Sequence, residues 1–83
     1  MPSVEKLLEA FRENPRGVRF ADAHRVCTRF FGEPRVKGSH HVFRTPWAGD
    51  PRINIQNRNG FVVEYQVRQM LAAIARWKDE HDA

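Results

Sequence analysis

The chain contains a single cysteine, Cys27. An internal disulfide is therefore excluded, and so is a structural zinc site built on several thiolates. No apolar run approaches the roughly 18 uninterrupted residues that a membrane helix needs. No charged-then-apolar leader opens the sequence, which sets the expectation of a cytoplasmic protein without membrane contact. Repeats and low-complexity segments are missing as well. There is no glycine loop of the phosphate-cradling kind and no metal-ligand spacing; Asp50 and the histidines form no recognised signature. No metal or cofactor is expected.

What remains is short and globular. At 83 residues the chain has no room for a second core, since a domain this small buries only about 60% of its unfolded surface. Its composition, 41% hydrophobic against 29% charged, is that of a folding chain rather than a disordered one.

The charge is unevenly spread. Residues 15–58 carry nine basic groups and three acidic ones, a net of +6, while residues 1–14 and 59–83 each come to −1. Eleven of the fourteen basic residues are arginine, whose planar fork grips a phosphate at two points. A central basic stretch of this kind suits a polyanion, nucleic acid above all. Ordinary solubilising charge would give the same count.

Periodicity sets out the elements. Val4, Leu7, Leu8 and Phe11 fall on one stripe of a helix over residues 4–13, with Ser3 as its cap and Asn14-Pro15 as its stop. Phe20, Ala23, Cys27, Phe30 and Phe31, widened by Val26, predict a second helix over 20–31, closed by Gly32. Arg35-Val36-Lys37 reads as a short strand ending in the turn pair Gly38-Ser39, and residues 40–45 as a second strand. After the loop Pro-Trp-Ala-Gly-Asp-Pro, the alternation in Arg52-Ile53-Asn54-Ile55-Gln56 marks a third, and Asn59-Gly60 is a turn. A last helix is expected over 64–78, with Val67, Met70, Leu71, Ile74 and Trp77 on one face. The predicted class is α+β in the order α-α-β-β-β-α, an antiparallel three-stranded sheet with helices on one face.

The chemistry concentrates in Lys37-Gly38-Ser39-His40-His41-Val42-Phe43-Arg44. Successive strand residues point to opposite faces, so His40, Val42 and Arg44 share one side and His41, Phe43 and Thr45 the other. The two histidines therefore do not readily grip one metal ion. Phe43 is the larger hydrophobe and claims the buried side, which leaves His40 and Arg44 on the open one; the same parity leaves Val42 partly exposed. An exposed imidazole with a guanidinium suits metal-free RNA cleavage. That reaction removes a proton from the ribose 2′-hydroxyl, stabilises charge on the phosphoryl group and protonates the departing 5′ oxygen. Imidazole, with an unperturbed pKa of about 6.5, exchanges protons near neutrality, and a guanidinium supplies fixed positive charge. A surface histidine without a task is the plainer reading.

Around His40, the turn residue Ser39 and Arg35, Lys37, Arg44, Arg52 and Arg58 are candidate RNA contacts. Asn54 and Gln56 share the face of Arg52 and have the right types for a ribose or base edge. Trp47 either stacks on a base or covers the core. Cys27 reads as core, and His24 and His81 receive no catalytic role.

The run Lys37-Gly38-Ser39-His40-His41-Val42-Phe43-Arg44, followed by a Pro-containing loop, Ile53-Asn54-Ile55 and the helix holding Tyr65-Gln66-Val67-Arg68-Gln69-Met70-Leu71, resembles the HicA toxin family over roughly residues 20–75. The resemblance implies a double-stranded-RNA-binding-like fold and a small mRNA-cleaving ribonuclease restrained by a cognate HicB-type antitoxin. It puts the catalytic histidine on His40, with His41 as the alternative if the register is off by one. On this reading residues 1–83 form one domain: 1–19 a helical extension before the family's usual start, 20–78 the core, 79–83 a frayed tail. Where the family often has a Pro and a His after the third strand, this chain has Gln56-Asn57-Arg58, so the acid for the leaving group is unassigned.

Overall fold

The computed structural model describes residues 2–49 and 51–81. Three helices and three strands follow one another as α1 (Val4–Glu13), α2 (Phe20–Phe31), β1 (Arg35–Lys37), β2 (His40–Phe43), β3 (Ile53–Gln56) and α3 (Glu64–His81). The predicted class and element order hold.

Local chemistry sets the first boundaries. The Lys6 amide donates to Ser3 Oγ at 3.2 Å, and the Asn14 amide returns to the Ala10 carbonyl before Pro15 ends the helix. Leu7, Leu8 and Phe11 are buried, as the stripe predicts. In α2 the inward residues are Ala23, Val26 and Cys27, while Phe20, Phe30 and Phe31 are half-buried at its margins. Burial pushes the Cys27 thiol up to about 12.

The strands form an antiparallel meander, β1-β2-β3. Phe43, Ile53 and Ile55 supply its apolar face, on which α2 and α3 lie. Among the described residues α1 packs on α2 and α3 and on no strand. It is a third layer that seals the backs of the other two helices, and it leaves the far side of the sheet uncovered. Leu7, Leu8 and Phe11 of α1 thus belong to the core. An ion pair from Lys78 to Glu5, 2.7 Å, joins α3 to α1.

Two expectations need correction. Strand pairing stops at Phe43 and resumes at Ile53, short of Thr45 and Arg52. Pro46 and Pro51 bracket a loop that Thr45 closes with its own hydroxyl, which donates to the Pro51 carbonyl. The second concerns the tail: Asp79, Glu80 and His81 continue α3 rather than fraying. His81 stacks flat on Trp77, centroids 3.8 Å apart, and Glu80 receives the indole N–H of Trp47 at 2.7 Å. The first contact is internal to α3; the second ties its last turn to the β2–β3 loop. Asp50 and Asp82 lie outside the described residues.

Among the described residues the sole buried polar side chain is Gln66, 1% exposed. Its Oε1 accepts the Gln56 amide at 2.9 Å, so α3 satisfies a donor on the outer edge of β3.

Candidate nucleic-acid interface

The open side of the sheet is set by one tight turn. Lys37 and His40 pair directly across the Gly38-Ser39 link, and Gly38 has φ +60°. This is a two-residue type II′ hairpin, which needs glycine at its first central position. It fixes the register, and with it which residues share the open side: Lys37, His40 and Gln56 in one row, Arg35, Val42 and Asn54 in the next.

His40 is exposed on this side. Its Nδ1 lies 3.3 Å from Oδ1 and 3.2 Å from Nδ2 of Asn54, diagonally across the β2–β3 ladder. Beside it, Gln56 Nε2 donates to Ser39 Oγ at 3.2 Å. Val42, partly exposed by parity, is half-buried between its register partners Arg35 and Asn54. Asn54 thus engages the Nδ1 edge of the imidazole, and the basic residue opposite His40 in register is Lys37.

Arg44 is elsewhere. Four strand residues at about 3.3 Å each put it roughly 13 Å along the sheet from His40. There Arg35, Arg44 and Arg52, with Glu33 and Pro34, line a polar cleft of about 430 Å³. His40 and Arg44 fall on the same side by parity, with Val42 between them. Lys37 is paired with His40, and the arginine cleft lies further along the sheet.

Arg58 belongs to a third place. Asn59 and Gly60, with φ of 53° and 89°, form a type I′ turn in which Arg58 and Phe61 exchange backbone hydrogen bonds of 2.8 and 3.0 Å. The Arg58 side chain borders a shallow apolar hollow with Arg16, Phe61 and Glu64. Phe20 and Val62 amides bond to Gly60 and Val18 carbonyls, so this turn is stitched to the α1–α2 connection. Arg16 and Arg68 both grip Glu64, which holds that carboxyl below the usual carboxylate range, the Arg16 hydrogen bond first.

Of the two readings of Trp47, the geometry is that of the cover. Its ring meets Phe31 edge-on at 6.1 Å, the Arg76 guanidinium sits 4.3 Å over its face, and Glu80 takes its N–H. It is committed to α3, away from the His40 side.

His41 turns to the helices. Its ring meets Phe20 at 4.8 Å and His24 at 5.2 Å, both edge-on, and its Nδ1 is buried without a partner. Burial, then the nearby His24, lowers its pKa. This is the setting of a neutral packing residue. The partner of His24, invisible in sequence, is therefore His41 together with Phe20 and Phe43. Sequence reasoning also missed Gln66; a polar residue one step before Val67 on an apolar stripe was the available signal. The exposed aromatics Phe61, in the turn before α3, and Tyr65, in its first turn, carried no signal of their own.

Among the described residues no three His, Cys, Asp or Glu side chains converge as metal ligands would, and no helix is long and apolar enough to cross a membrane. The chain matches no protein-family model, no curated protein and no solved structure.

Proposed function

We propose that this protein is a HicA-like toxin: an endoribonuclease that cleaves mRNA in the cytoplasm without a metal ion and is held in check by a HicB-type antitoxin. The reading rests above all on one observation, an exposed His40 on the uncovered side of a basic sheet, opposite Lys37 and bonded to Asn54. The resemblance of the Gly38-Ser39-His40-His41 segment and the α-β-β-β-α order of residues 20–81 add to it, and on this reading the architecture is of the double-stranded-RNA-binding kind.

His40 takes the proton from a ribose 2′-hydroxyl. The 2′ oxygen bonds to phosphorus, the bond to the 5′ oxygen breaks, and the departing oxygen takes a proton from water, no side chain being assigned to give it. A 2′,3′-cyclic phosphate and a 5′-hydroxyl result. Lys37 stabilises the charge on the phosphoryl oxygens, and Arg35, Arg44 and Arg52 hold the strand further along by its phosphates.

The purified protein should cut single-stranded RNA in EDTA. His40→Ala should slow cutting by roughly 10²- to 10⁴-fold, the usual worth of a positioned acid or base, with its melting temperature unchanged. Full activity in that variant would remove the mechanism. A second reading, a non-catalytic RNA-binding module, is favoured by His40 being the one imidazole on the open side among the described residues, with no second histidine to serve the leaving group. RNA retarded on a gel but recovered intact, with no growth arrest on expression, would select it.

A further inference from the structure

We infer that Asn54 is the positioning residue of His40, its Oδ1 accepting the Nδ1 proton so that Nε2 stands unprotonated toward the ligand. The inference rests on the nuclease reading for its purpose, and on the His40–Asn54 geometry for its substance.

An imidazole presents a defined base only if something selects its tautomer. On the open side of this sheet the group that touches the His40 ring is the Asn54 amide, with both its oxygen and its nitrogen within 3.3 Å of Nδ1. An amide can meet Nδ1 as acceptor or as donor. The two choices are not equivalent for a group that cycles a proton. Once Nε2 has taken a proton, both ring nitrogens are donors, and Nδ1–H must face an acceptor. Oδ1 satisfies the neutral ring and the charged ring alike. With Nδ2 toward the ring, every turnover would require the amide to rotate. Asn54 is in place to act because β3 is itself held: the Gln56 amide is tied to the buried Gln66, and the Gln56 side chain to Ser39 next to His40. The pairing of Val42 with Asn54 and of His40 with Gln56 sets the diagonal across which the amide reaches.

The neutral amide also has a consequence for charge. A carboxylate at this position would favour the imidazolium and move the protonation of the ring to higher pH, while still accepting the Nδ1 proton. Asn54→Asp keeps the shape and changes only that, which makes it the diagnostic substitution.

The test uses the full chain. Nitrogen-15 spectra of the histidine rings give tautomer and titration of His40 in the unsubstituted protein, Asn54→Ala and Asn54→Asp. The same samples yield pH profiles for cleavage of an RNA oligonucleotide. In the unsubstituted protein the neutral ring should carry its proton on Nδ1. Asn54→Ala should move that proton toward Nε2 and lower kcat about tenfold with KM little changed. Asn54→Asp should shift the titration, and the acid limb of the rate profile, upward by about one pH unit. An Nε2–H tautomer in the unsubstituted protein would overturn the inference. So would an Asn54→Asp titration that does not move, or a loss of kcat in Asn54→Ala with tautomer and pH profile intact, which marks a merely structural role. Should Asn54→Ala fail to fold, the isosteric Asp variant decides alone. Should the tautomer behave as stated while the unsubstituted protein cuts no RNA, the nuclease reading falls and the assignment of Asn54 stands.

Discussion

His40 and His41 are identical side chains one residue apart, and the sheet sends them into opposite environments. His41 faces Phe20 and His24 under the helices, with a buried nitrogen that finds no partner. His40 faces outward and is oriented by Asn54 and flanked by Lys37. The difference is not one of residue type or of neighbouring sequence; it comes from strand parity, fixed by the Gly38-Ser39 turn and by Phe43 claiming the core. The covered side is organised by packing and the open side by charge and amide hydrogen bonds, so the two should respond to different perturbations.

The largest contrast is in the covered layers. Leu8→Ala, in the helix that seals α2 and α3, should cost about 2–5 kcal/mol of folding free energy in urea melts, because it removes fully buried methyl groups and leaves a cavity. A loss no larger than that of a surface substitution would mean that α1 is an ornament, and the three-layer description would fail. Next comes the exchange between the histidines. His41→Ala should lower stability by about 1–3 kcal/mol while the folded fraction keeps its cleavage, the reverse of the pattern given for His40→Ala. Equal loss of activity in both would erase the distinction between the faces.

Smaller effects belong to the arginine cleft. Arg35→Gln with Arg44→Gln should leave the melting temperature nearly unmoved. It should flatten the dependence of RNA affinity on salt by about 0.7 in logarithmic slope for each phosphate that is no longer neutralised. An unchanged slope would detach the cleft from the ligand. The smallest effect is on acid stability. The folded pKa of His41 lies below that of the unfolded chain, so as pH falls through about 6.5 the unfolded state takes up a proton that the folded state refuses. Stability conferred by neutral His41 is complete above that pH and declines below it. Melting curves should show the protein more stable at pH 7.5 than at 5.5, and His41→Phe should narrow the gap.

Much of the fold is legible in the sequence. Both ends of α1 and the C-terminal end of α2 follow from local residues: Ser3, the Asn14-Pro15 pair, Gly32. The outward placement of His40 follows from parity plus the size of Phe43. What escapes is non-local. The end of α3 depends on Trp47, more than thirty residues earlier in the chain, reaching Glu80. His24 gains a role only when β2 is laid beneath it. Arg44 reads as adjacent to His40 because it shares its face, yet the pleat separates them by roughly 13 Å. Asn54 is visible as a residue type suited to a ribose edge, but its hold on His40 depends on the β2–β3 register, which alternation alone does not supply.

Cys27 offers a use that has nothing to do with RNA. Its thiol is fully enclosed and resists ionisation near neutrality. Thiol reagents attack the thiolate, so alkylation in native buffer has to wait for the helices to part. A lone thiol at the heart of the packing is then a built-in clock. The pace at which a dye labels this chain counts its spontaneous openings, and a bound ligand or inhibitor that steadies the fold would announce itself by slowing that count.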